Sequence, residues 1–201
     1  MTELRVYGWG ALGCIPFQVY VGLLFVFVVG LVVLLWRKGI REGLRYSAML
    51  LLAEWGIVIL GITVVFRETC AERGINLIPL WSYFDYAENS YLKEMAAINI
   101  LNIVLFIPVG FLLGCAFRQM TWRRALAVGA GMSASIEVLQ LIFKRGLCET
   151  DDVIHNVVGC MIGYGIVAVW RQIAKKMQKG MIFPFYDFHF MEKFCSFAYN
   201  E

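Results

Sequence analysis

Five apolar runs, each close to the length that crosses a bilayer, constrain this chain more than any other feature. They are Leu12–Trp36, Ser47–Phe66, Ile98–Phe117, Ala125–Phe143 and Val153–Trp170. A helix needs about 20 apolar residues to span the hydrocarbon core, and helices or closed barrels alone can satisfy every backbone group there. The runs therefore predict an all-α, polytopic membrane protein, a bundle of about five transmembrane helices in a single membrane domain over residues 1–201. Composition agrees, with 60% hydrophobic and 16% charged residues against a quarter charged in ordinary soluble domains. A net charge of +3 gives no nucleic-acid footprint, and no internal repeat or soluble domain is evident.

The charges between the runs set the expected topology. Arg37, Lys38, Arg41 and Arg45 follow the first run, Arg118, Arg123 and Arg124 follow the third, and Arg171, Lys175, Lys176 and Lys179 follow the fifth. Basic clusters stay in the cytoplasm, so the amino terminus is expected outside and the carboxyl terminus inside. Leu12–Trp36 is too long for a signal-peptide core and has no small-residue cleavage site, so it counts as a span. The long connection from Arg67 to Ala97 mixes both signs, including Asp85, Glu88 and Glu94, and suits the outer side. Within it Asn76–Tyr83 is apolar and aromatic, and is expected in the interface or as a re-entrant segment. The aromatic tail over residues 180–201 is expected on the inner membrane surface.

Six cysteines show no CxxC spacing, which argues against zinc. Cys70 and Cys148 share the outer side; they could pair, but free thiols are expected.

The chemistry concentrates between Ser133 and Gly163. Ser133, Glu137 and Gln140 share one face of the fourth helix, and Asp152, His155, Asn156, Gly159 and Gly163 follow helical spacing on the fifth. Asn99 and Asn102 share a face of the third. Arg145, Glu149 and Asp151 stand in or beside the short loop above them. A carboxylate in the membrane costs about 2.5–3.5 kcal/mol, so Glu137 should have partners or be protonated, with Arg145 the candidate counter-ion. Interhelical hydrogen bonds average about 0.6 kcal/mol, a small return for burying so many polar groups, which weighs towards function for Glu137, Arg145 and Asp152. Gln140, Asn102 and Asn156 are equally good fasteners. Asp151 and Asp152 stand at a helix amino terminus, where the dipole favours them in any case. His155 reads as a packed, hydrogen-bonded histidine, and Glu54 as a buried fastener. Pro108 should kink the third helix, and Gly110 and Gly114 permit close contact.

In order along the chain, these residues resemble the VanZ-like family of bacterial membrane proteins. The resemblance rests on Asn76-Leu-Ile-Pro79, on Asn102-Ile-Val-Leu-Phe106-Ile-Pro108-Val-Gly110, and on Ser135-Ile-Glu137-Val-Leu-Gln140. It continues through Arg145, Glu149, Asp151-Asp152, Asn156, Gly159 and Gly163. It covers about residues 47–171 and leaves out the first helix and the tail; Glu149 departs from an aspartate expected there. The resemblance implies a multi-pass protein of the bacterial plasma membrane, and the family's founding member is tied to low-level resistance to teicoplanin-type glycopeptides. It supplies no established reaction and no cofactor.

Three functions follow as expectations. The first is an envelope or resistance protein whose outer-leaflet polar pocket binds a lipid-linked precursor or a lipid-bearing antibiotic. Its ligand set would be Asn102, Glu137, Gln140, Arg145, Glu149, Asp151, Asp152 and Asn156. The second is an intramembrane enzyme on a lipid phosphate headgroup, with Glu137 as acid or base, Arg145 on phosphate, and Asp151 and Asp152 as candidate metal ligands. The third is a transporter or flippase component, which five helices without a repeat disfavour as a solitary carrier and which an oligomer could form. Membrane lipids are the expected partners, and nucleic acid is not.

Overall fold

A computed structural model describes residues 15–84 and 91–178. The amino-terminal stretch, Asp85 to Ser90 and the aromatic tail lie outside the described residues, as do Cys14 and Cys195.

The first element, α1 (Phe17–Leu60), is two helices joined by a reversal at Gly39, whose φ of 75° and ψ of 170° only glycine adopts freely. Leu50 lies against Gly30 and Leu35 against Gly43, so the two halves run antiparallel. The predicted break between the first two spans is thus a tight turn inside one long helical stretch. A π-helical turn, Gly61–Val65, ends the second half. Then come a three-residue strand β1 (Gly74–Asn76), a single-turn helix α2 (Trp81–Phe84), and α3 (Tyr91–Ala116). The chain closes with α4 (Trp122–Phe143), strand β2 (Leu147–Glu149) and α5 (Thr150–Gln178). Among the described residues, five helical segments are long and apolar enough to cross a membrane. This is the all-α polytopic fold that the apolar runs predict.

Two helices make the frame of the bundle. On α5, a Cβ added at Gly159 or Gly163 would collide with the carbonyl oxygens of Ile103 and Ile107 on α3. On α3, a Cβ at Gly110 would strike the Cys160 carbonyl, and one at Gly114 would meet Val167. Each helix carries its pair of glycines four residues apart, so the backbones meet along a shared groove and the helices run parallel. Apolar side chains fill the space around this contact, with Phe106, Val109, Ile136 and Cys160 almost wholly buried.

The remaining helices attach through polar ties to backbone carbonyls. Trp55 Nε1 donates to Leu105 O at 2.9 Å, joining α1 to α3 one turn before Pro108. Tyr164 Oη donates to Met120 O at 2.7 Å, and its ring meets Trp122 edge-on. The α4–α5 pair is antiparallel, as its short connection requires. The half of α1 before Gly39 buries none of its apolar window and is left for lipid.

The two ends differ chemically. At one, Glu42 pairs with Arg45 at 3.3 Å and with Arg118 at 2.8 Å, while Arg45 and Arg171 donate to the carbonyls of Ala116 and Gly114. The basic clusters predicted to share a side do meet there. The opposite end holds the connection after the π-turn and the loop between α4 and α5.

Candidate functional site

The polar end is built around a small parallel β-bridge that the sequence did not announce. Gly74, Ile75 and Asn76 pair with Leu147, Cys148 and Glu149. The bridge pins the segment after the π-turn onto the loop between α4 and α5. That loop begins at Lys144, in the left-handed region with φ 56°, where the main chain turns out of α4. Cys70 N then donates to Lys144 O at 2.7 Å. Cys70 and Cys148 both stay free thiols.

The bridge lowers Glu149 onto the fourth helix. Glu149 N donates to Glu137 Oε2 at 2.8 Å, so the glutamate inside the apolar run is held by a backbone amide. Asn102 Nδ2 on α3 donates to Asp152 Oδ1 at 2.6 Å, bringing the third, fourth and fifth helices to one place. Asp151, almost completely buried, accepts from Leu80 N, and Trp81 Nε1 donates to Glu149 Oε1 at 3.1 Å. His155 Nδ1 lies 2.6 Å from Asp151 O, a carbonyl that can only accept, so Nδ1 carries the proton. In the neutral ring Nε2 is then the acceptor, and Tyr83 Oη donates to it at 2.8 Å. His155 is the packed, hydrogen-bonded histidine its sequence context predicts.

The segment from Gly74 to Phe84 is therefore a cover clasped to the site. Leu80 N, Trp81 and Tyr83 each touch a polar residue below, while Ile75, Leu77 and Ile78 stay exposed. Leu80 adopts a φ of 59°, rare for a leucine, at the turn that aims its amide at Asp151. The expected apolar, aromatic interface segment is present, but its inner side is a polar clasp.

One expectation is corrected. Arg145 was the expected counter-ion of Glu137, but its guanidinium donates to the carbonyl oxygen of Arg67 and is spent on the loop. Arg67 is the cation whose charge acts on Glu137, Glu149 and Asp152. It lies against Gly146, where a Cβ would stand 2.8 Å from the guanidinium carbon. Nothing in the spacing of the sequence links residue 67 to residue 137; the β-bridge and the π-turn make that neighbourhood.

The amides play two parts. Gln140 Nε2 donates to Thr63 O in the π-turn at 3.1 Å, and Asn156 Nδ2 to Ser133 Oγ at 2.8 Å. Both fasten helices, yet Gln140 Oε1 and Asn156 Oδ1 are buried without a partner. Glu54 is also buried, with one oxygen unpartnered, elsewhere on α1. Among the described residues no three His, Cys, Asp or Glu side chains are set to hold a metal ion, and Asp151 has one oxygen taken by Leu80. Open clefts lined by Arg45, Arg118 and Arg124 lie at the other, basic end.

Outside the spans, burial and the neighbouring charge of Asp152 push the Glu149 carboxyl up to about 7, with Asp151 adding to the rise. The Trp81 hydrogen bond and Arg67 oppose that rise without cancelling it. Burial likewise raises the Cys148 thiol.

Fold and site together define a multi-pass helical membrane protein with a cluster of buried and half-buried carboxylates at one end of its bundle. The VanZ/LLP1 family model matches residues 17–171, and the chain belongs to that family. The match begins in the first helix, ahead of the residues 47–171 that carry the resemblance. Over 114 residues the chain is 29% identical to Protein VanZ of Enterococcus faecium, a match covering 56% of this chain and 65% of that protein. No solved structure matches the chain.

Proposed function

We propose that this protein serves the bacterial plasma membrane as an envelope or glycopeptide-resistance protein, acting through the carboxylate cluster at the outer face. The orientation rests on the positive-inside rule: Arg45, Arg118, Arg124 and Arg171 gather at one end, leaving Glu137, Glu149 and Asp152 at the other. The resistance role is what membership of the family implies for a chain that resembles its teicoplanin-linked founder. The ligand class is a lipid-bearing molecule, either an envelope precursor or a lipoglycopeptide, because the positive-inside rule sets the cluster at the outer-leaflet end of the bundle.

The observation that carries the reading is Glu137. It is 4% exposed inside an apolar helix, yet it is held by a backbone amide from a loop that the β-bridge pins in place. A fastener between helices needs no such loop, and an intramembrane carboxylate this elaborately placed is a functional group by default. The test is the teicoplanin concentration that inhibits a susceptible Gram-positive host with and without the protein. Expression should raise it; an unchanged value at verified membrane levels contradicts the resistance role.

A further inference from the structure

The hydrogen-bond inventory of the site says what its ligand must bring. Glu137, Glu149 and Asp152 each have one oxygen tied to an internal donor: Glu149 N, Trp81 Nε1 and Asn102 Nδ2. The second oxygen of each meets no hydrogen-bond donor among the described residues. Two further acceptors stand on the same two helices. Gln140 is 1% exposed and one turn from Glu137, Asn156 is 5% exposed and one turn from Asp152, and the carboxamide oxygen of each is unpartnered. A buried acceptor left unmade costs about 1–3 kcal/mol, so the two carboxamide oxygens are expensive unless something donates to them.

The donors in reach are few. Leu80 N, Trp81 Nε1, Asn102 Nδ2 and Glu149 N are consumed, Arg145 is turned to the loop, and among the described residues Arg67 is the cation that acts on all three carboxylates. Acids therefore outnumber the base, and a phosphate brought here would meet like charge. An ammonium group, with its three N–H donors, answers both the charge and the hydrogen-bond deficit.

We infer that the group recognised between Glu137, Glu149 and Asp152 is a primary ammonium carried by an amphiphile, not an anionic phosphate. This rests on the cluster being a ligand site, as proposed above, and it narrows the class of ligand. The raised Glu149 carboxyl, set first by burial and then by the neighbouring Asp152 charge, is compatible with a cation bound beside it.

The probe is fluorescent-tailed phosphatidylethanolamine, titrated onto the full chain in detergent micelles. Its N-acetylated form, which has no ammonium, and phosphatidylglycerol serve as comparisons. The amine lipid should bind at least about tenfold more tightly than either, and the Glu137→Gln, Asp152→Asn pair should lose at least about tenfold. Both substitutions keep an oxygen for the existing donors while removing the charge and turning the second oxygen into an amide donor; if the pair does not fold, Glu149→Gln alone should still weaken binding severalfold. Free ethanolamine competing as well as the lipid would support the ammonium site and assign the headgroup alone as the determinant. Weaker competition by ethanolamine would support the amphiphile as stated. Equal binding of phosphatidylglycerol or of the N-acetylated lipid, indifference to the substitutions, or displacement by magnesium would each overturn the inference. Teicoplanin protection together with preferred phosphatidylglycerol binding would sink the ammonium assignment and leave the resistance role standing. Ammonium binding without protection would do the reverse.

Discussion

The guanidinium of Arg67 lies on the backbone at Gly146, where a Cβ would approach its central carbon to 2.8 Å. Gly146 has a φ of +135°, so it is both the floor under the cation and a conformation that other residues resist. This contact positions the cation that, among the described residues, acts on Glu137, Glu149 and Asp152 together.

Gly146→Ala should therefore strain the loop by about 1–3 kcal/mol and displace Arg67 from the cluster. Thermal unfolding in detergent should show a lower midpoint, and an unchanged midpoint would refute the geometry. Arg67→Ala removes the charge without straining the backbone, and should lower stability less.

The α3–α5 groove makes a sharper contrast between two glycines. A side chain at Gly163 would run into the Ile107 carbonyl, whereas nothing lies within 4 Å of a Cβ at Gly131. Gly163→Leu should cost at least about 1–3 kcal/mol by forcing the helices apart, while Gly131→Ala should be close to neutral. Equal effects in a denaturation series would mean that the helices do not meet as described.

Glu149 gives a pH dependence whose sign can be worked out. Its folded-state value of about 7 lies above the ordinary 4.5, so folding binds its proton more tightly than the unfolded chain does. Its contribution is fully present below 4.5 and is lost as pH rises through about 7. The unfolding midpoint of the wild type should fall between about pH 5 and about pH 8, and Glu149→Gln should flatten that fall. Gln can still accept from Trp81, so the variant isolates the charge. Parallel profiles for the two proteins would contradict the assignment.

Much of the architecture was legible in the sequence because the bilayer is a strict solvent. Apolar run length gives the spans, and Gly110, Gly114, Gly159 and Gly163 at four-residue spacing mark the helices that touch. The convergence of Asn102, Glu137 and Asp152 also followed from helical periodicity and a short loop. Arg67, Trp81 and Tyr83 did not, because their approach depends on a three-residue parallel bridge between strands far apart in sequence. No periodicity is visible in so short a strand, and a parallel partner is not signalled by a turn. The π-turn was equally hidden; its need for Gln140 at Thr63 O appears only once both helices are in place.

Orientation has its own test in Cys70, an exposed free thiol on the segment between the π-turn and β1. In a variant with Cys70 as the sole cysteine, a membrane-impermeant maleimide should label intact cells. Labelling that appears only after lysis would place the cluster in the cytoplasm and remove the outer-leaflet reading.

The central claim is that the protein acts through the cluster at Glu137 and not through buried polarity in general. Its most direct test compares teicoplanin inhibition in a host expressing the wild type, Glu137→Gln or Glu54→Gln at equal membrane levels. Both substitutions neutralise a buried carboxylate in an apolar helix, but Glu54 lies away from the site. Protection that survives Glu54→Gln and disappears with Glu137→Gln is the expected result. Protection that persists in Glu137→Gln would contradict the account and leave the cluster as structural fastening.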